Sequence, residues 1–173
     1  MKLELGCGES LRPGFVGCDI RRLPNVKYVC NPWDLINHIN DETVDHIYSR
    51  HFFEHLTYHE GRKTLLTSWK ILKSNGIFEI CLPDLRFHLE QLMSNDRRDT
   101  NFEFHLGTLS SLDHAIAGLY GWQRQSETEG YWDVHKSGYD QEMLEYLLKE
   151  HGFNQIQRLK TKPYHLHLIC KKS

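Results

Sequence analysis

Three sets of residues have the types and spacing to do chemistry. The first begins at Glu4-Leu5-Gly6-Cys7-Gly8, where two glycines let the backbone turn sharply and approach a ligand closely. Asp19, in Val16-Gly17-Cys18-Asp19-Ile20, is a carboxylate able to accept from two neighbouring hydroxyls, as on a ribose, in charge-assisted hydrogen bonds. Asp34, in Asn31-Pro32-Trp33-Asp34-Leu35, can accept from an amino group while Trp33 or Ile20 covers a flat ring. It reads equally well as the N-cap of a helix over Leu35-Ile39. A dinucleotide turn needs a third glycine three residues after Gly8, and that position is Leu11, which disfavours NAD and FAD.

The second set is His51-Phe52-Phe53-Glu54-His55. On a helix, His51, Glu54 and His55 share one face, the H-x-x-E-H arrangement of inverse zincins. Spacing indicates no third ligand, although the chain has 12 histidines, and the expectation is that the segment holds no metal. The third set is His114 and His135, which lie in a region rich in glycine and aromatic residues. A histidine near neutral pKa can take the proton lost by a hydroxyl or amine. The ordinary reading of each is a loop histidine bonded to backbone.

These residues need a scaffold, and the pattern supplies one. Short apolar runs predict strands at Lys2-Leu5, Phe15-Ile20, Val26-Cys30, Val44-Ser49 and Ile77-Leu82. Asn154-Leu159 and His165-Cys170 read as two final strands. Leu65, Leu66, Trp69 and Leu72 recur at helical spacing, with a stop at Asn75-Gly76. A second helix runs from an Asp140 N-cap through Leu148 to Gly152. Strands alternating with helices, then a terminal pair, give an α/β fold: a mostly parallel sheet with an antiparallel edge. Residues 86–138 break the rhythm and are expected to be irregular and functional, with Phe102, Phe104, Tyr120, Trp122, Tyr131 and Trp132 arguing for order.

Bulk properties exclude several classes. The length suits one compact domain. A net charge of -2 leaves no field for a phosphate backbone, so no nucleic-acid partner is expected. The basic pairs Arg21-Arg22, Arg97-Arg98 and Lys171-Lys172 read as solvated surface. Five scattered cysteines without a C-x-x-C pair suit reduced thiols. No apolar run reaches membrane-span length and the amino terminus lacks a signal-peptide core, so no membrane partner is expected and the expected compartment is the cytoplasm.

Taken in order, Glu4-Leu5-Gly6-Cys7-Gly8, Asp19, Asp34, Val44-Asp45-His46-Ile47-Tyr48-Ser49, His51-Phe52-Phe53-Glu54-His55-Leu56, Trp69 to Gly76 and Leu82-Pro83-Asp84 form a series. It resembles the motifs of class I S-adenosylmethionine (SAM)-dependent methyltransferases, in particular the small "type 11" branch. The resemblance is strong over the first half of the chain, with a weaker echo at Gly138-Phe153. It implies a Rossmann-like fold with a seven-stranded sheet, residues 1–173 forming one domain with 86–138 as an acceptor-side insertion.

The resemblance further implies that Glu4, Gly6, Cys7 and Gly8 face the methionine part of SAM. Asp19 would then hold the ribose, Ile20 and Asp34 frame the adenine, and Ser49 and His51 line the floor beneath the methyl group. S-adenosylhomocysteine (SAH) is the implied product, a small molecule or saccharide the implied acceptor, and His51, His114 or His135 the implied base. The step from Gly8 to strand two takes only about eight residues, fewer than a parallel crossover needs, so the family's first helix must be reduced. The alternatives are a catalytically silent SAM- or SAH-binding module and a metallohydrolase using His51, Glu54 and His55.

Overall fold

The computed structural model describes residues 1–95, 101–104, 107–123 and 131–173. Arg97 and Arg98, together with His105 and Arg124, which the sequence places in the acceptor-side region, lie outside the described residues.

The sheet has seven strands, β1 (Lys2–Leu5), β2 (Val16–Asp19), β3 (Val26–Val29), β4 (Val44–Arg50), β5 (Leu72–Pro83), β8 (Phe153–Arg158) and β9 (His165–Lys172), in the order β3-β2-β1-β4-β5-β9-β8. β1 to β5 pair in parallel, and β9 runs antiparallel between β5 and β8. The sheet is thus mostly parallel, with the antiparallel β9–β8 pair at one edge. The central strands are covered on both faces, and Leu3, Leu5, Ile47, Phe78, Ile80 and Leu82 are fully buried.

β1 and β2 are joined by turns alone, so the first helix is absent altogether from residues 6–15. A plug replaces it. Glu4, buried in β1, accepts from the Arg12 backbone N–H at 2.6 Å. The Arg12 guanidinium lies 4.4 Å from the centre of the Tyr48 ring and 3.2 Å from both oxygens of Glu79 in β5. Phe15 packs edge-on to His46 and Tyr48.

α1 (Tyr58–Ile71) begins with a capping box between Thr57 and Glu60 and lays Gly61, Thr64, Leu65, Thr67, Ser68 and Ile71 inward. Leu66 faces solvent. Asn75-Gly76 does not stop this helix, which ends at Ile71. The pair sits within an insertion in β5, between the pairings Val44–Leu72 and His46–Ile77, where Asn75 has φ +60°. α4 (Gln141–Glu150) starts at Asp140, whose side chain accepts from Met143 N–H, and gives way at Gly152, φ +85°.

The expected irregular region has more regular structure than its composition suggests. It contains α2 (Leu85–Met93), a hairpin of β6 (Asn101–Phe104) and β7 (Gly107–Ser110), and α3 (Ser111–Tyr120). Asp84 and Ser110 cap the two helices. α2 and α3 pack so closely that a Cβ on Gly118 would come within 2.3 Å of the His88 ring.

Candidate active site

The chain runs outward from β1 to β3 and then crosses to β4 on the other side of β1, so the sheet reverses direction between β1 and β4. Ligands bind at the carboxyl ends of strands at such a point. Leu5 pairs with Ser49, which sets the Gly6 turn beside Arg50 and His51. Two cavities open there.

The first, of about 380 Å³, is lined by Gly6, Asp19, Ile20, Asn31, Pro32 and Trp33 from β1 to β3, by His51, Phe52 and His55 after β4, and by Tyr131 and Trp132 from the returning chain. Gly6 and Gly8 have φ +61° and +54°, and a Cβ on Gly6 would fall 2.1 Å from the Phe52 ring. The Gly6 and Cys7 N–H groups both donate to the Cys18 carbonyl, and Asn25 Nδ2 donates to the Gly8 carbonyl at 2.8 Å. Asp19 is buried. Its Oδ2 accepts from Gly8 N–H at 2.9 Å, and its Oδ1 accepts from Arg21 N at 2.9 Å and Nε at 3.2 Å. Burial alone would raise the Asp19 pKa, but the Arg21 and Gly8 hydrogen bonds outweigh it and hold the carboxyl below its usual range.

Ile20 is half exposed and lines this cavity. Other expected residues sit behind it. Glu4 is tied to Arg12, and Cys7 is buried, its Sγ close against Gly17. Burial, with Asp19 and Glu4 nearby, pushes the Cys7 thiol up to about 11. Asp34 does not cap a helix over Leu35-Ile39. The turn is a 3-10 helix that begins at Pro32, with Asp34 inside it accepting from Asn31 Nδ2 at 3.0 Å. Ser49 is fully buried between its β1 and β5 neighbours and its hydroxyl has no hydrogen-bond partner among the described residues.

The second cavity, of about 750 Å³, lies over the ends of β4 and β5 and is lined by six histidines, His51, His55, His88, His114, His135 and His165, with Arg50, Glu54 and Tyr164 among the other lining groups. His51 and His55 line both cavities. H-x-x-E-H is not helical. His51 has φ +48°, Phe53–His55 is one 3-10 turn, and α1 begins only at Tyr58. His51 nevertheless meets Glu54, with Nδ1 3.3 Å from Oε1. His114 is buried with Nδ1 2.9 Å from Gln91 Oε1, and His135 Nδ1 donates to the Gly118 carbonyl at 3.0 Å. Burial pulls His114 and His165 down to about 4 and His88 to about 3, and it also lowers His135. Such groups are weak bases at neutral pH.

Sequence reasoning missed Arg21, Phe52, His88 and His165. Arg21 follows Asp19 by two residues, a spacing that could have drawn notice. His165 gives no local signal, because only the antiparallel register of β9 sets it opposite Pro83 at the carboxyl end of β5.

No protein-family profile matches the chain, and no curated protein matches it in sequence. Solved structures do. A SAM-dependent methyltransferase from Archaeoglobus fulgidus matches with a TM-score of 0.62 at 14% identity, covering 99% of this chain and 85% of that one. One from Methanosarcina mazei gives 0.61 at 14% identity, over 99% and 91%. The chain has the class I methyltransferase fold. A third structure of this fold, a Burkholderia thailandensis 1,6-didemethyltoxoflavin-N1-methyltransferase with 1,6-didemethyltoxoflavin and S-adenosylhomocysteine bound, matches with 0.58 at 14% identity, over 99% and 70%. Among the described residues, no helix is long and apolar enough to cross a membrane.

Proposed function

We propose that this chain binds SAM in the first cavity and transfers its methyl group to a small-molecule or saccharide acceptor held in the second. The observation that carries the reading is the meeting of the two cavities at His51, at the point where the sheet reverses direction. SAM supplies a methyl group already activated on a sulfonium, so the protein's task is positioning. The residues fit a nucleoside: a buried carboxylate at Asp19, an exposed aliphatic face at Ile20 and an indole at Trp33. Arg21 must yield the Asp19 edge that a ribose would take.

On this reading Asp19 orients the ribose and Ile20 with Trp33 covers the adenine. Glu4, Gly6, Cys7 and Gly8 shape the wall behind the methionine part. His51 is the general base, because Glu54 holds its Nδ1 and the ring stands between the cavities. His114 and His135 shape the acceptor side, together with His88, Ala117 and Gly118.

Calorimetric titration with SAH tests the binding half, and a labelled-methyl assay over a panel of small alcohols, phenols, amines and saccharides tests the transfer. The expected result is SAH binding and label in at least one acceptor class. NADH bound more tightly than SAH would overturn the reading.

A further inference from the structure

We propose that Glu54, His55 and His135 form a site for one divalent metal ion of the zinc class. One potential ligand atom from each residue lies within 4.8 Å of the others. Glu54 and His55 belong to the 3-10 turn after β4, and His135 to the chain returning from α3. The two pieces are pinned together by backbone, since Lys136 and Ser137 N–H donate to the Glu54 carbonyl at 2.8 and 3.1 Å. The spacing H-x-x-E-H could not announce this partner, because it arrives from 80 positions downstream of His55.

The hydrogen bonding leaves an acceptor lone pair unused on each of the three residues. His55 Nδ1 lies 3.0 Å from the Val134 carbonyl, and His135 Nδ1 lies 3.0 Å from the Gly118 carbonyl. A carbonyl only accepts, so each Nδ1 carries the proton and each Nε2 is bare. This is how metal-bound histidines are commonly fixed in tautomer and orientation. The imidazole rings stand 5.0 Å apart at 76°. Glu54 is 2% exposed; Oε1 is met by His51, and Oε2 is buried with no hydrogen-bond partner among the described residues. A buried carboxylate oxygen without a donor is costly, and a cation bound by it and the two nitrogens removes that cost.

The donor set names the ion. Two neutral imidazoles and one carboxylate suit zinc and its transition-metal neighbours, whereas calcium and magnesium prefer all-oxygen shells. Three protein ligands leave a further position for water or a small ligand from the second cavity, which all three residues line. Metal uptake reads the same whether or not the first cavity takes SAH, so failure of this site and failure of the methyltransferase reading are separable.

The test strips the full chain with a chelator and titrates it with zinc and with cobalt. One equivalent of either should bind. Glu54→Gln and His135→Ala should lose it, while Cys81→Ala should keep it, with circular dichroism confirming that each variant is folded. Cobalt should give ligand-field bands without thiolate charge transfer. The cobalt spectrum of the unaltered chain stands as evidence even where a variant does not fold. Substoichiometric uptake, uptake unchanged in Glu54→Gln, or a thiolate signature lost in Cys81→Ala would overturn the proposal; the last would move the ion to His51, Cys81 and His165.

Discussion

Arg21 clasps Asp19 from two positions at once: its backbone N–H donates to Oδ1 at 2.9 Å, while its guanidinium reaches Oδ1 at 3.2 Å and Oδ2 at 3.4 Å. The carboxylate that a ribose would use is therefore already engaged, by a side chain that is 36% exposed and able to swing away.

Asp19→Ala should weaken SAH binding by about 1.5–3 kcal/mol, the worth of charge-assisted hydrogen bonds, or roughly ten- to a hundredfold. Arg21→Ala should do the opposite. Removing the competitor should strengthen binding about two- to fivefold, since a partly exposed ion pair is worth up to about 1 kcal/mol. Calorimetry on both variants decides; a loss in Arg21→Ala equal to that in Asp19→Ala would make Arg21 part of the binding surface.

His51→Ala should lower turnover by about two to four orders of magnitude, as expected for a general base, while leaving SAH affinity nearly intact. The rate should be followed against pH on the best acceptor from the panel. An unchanged rate and pH profile would remove His51 from the reaction.

Glu79 is a buried carboxylate that touches Arg12, His46 Nε2 at 2.9 Å and His167 Nε2 at 3.1 Å. Glu79→Gln should cost about 1–3 kcal/mol, less than a fully buried pair would, because the Arg12 guanidinium reaches solvent. The melting temperature should fall by roughly 2–4 °C per kcal/mol. No change in melting would mean that the plug replacing the first helix does not depend on this carboxylate.

Acid should destabilise the chain through His88 and His114, which burial holds at about 3 and about 4. The unfolded chain protonates them near pH 6.5, so below that value it binds more protons than the folded one. Their neutral, buried state is fully accommodated above about 6.5, and stability falls as the pH drops toward 4. The slope is at most about 1.4 kcal/mol per pH unit for each histidine. Denaturant titrations at several pH values should show this acid limb, and His88→Met should flatten it. An identical limb in the variant would assign the effect to other groups.

The sequence by itself determined the scaffold and the positions from which a site could be built. The seven strands are legible because central strands are nearly continuous apolar runs, as in Ile77-Phe78 and Ile80-Cys81-Leu82. The shortened first crossover is legible as plain chain length, and the N-cap at Asp140 as local hydrogen-bonding chemistry. Asp19 and Ile20 lie at the first cavity because the end of a strand is a local property.

Tertiary structure alone decided which side chains meet. Phe52 closes on Gly6, a contact with no periodic signal. Asn75-Gly76 reads as a helix stop because positive φ serves a strand insertion and a helix end alike. His135 joins Glu54 and His55, and His165 joins His51, across long stretches of chain. Those meetings depend on the return of the chain after α3 and on the antiparallel register of β9. Both are set by global packing and backbone hydrogen bonds between distant segments, which leave no trace in the spacing of neighbouring residues.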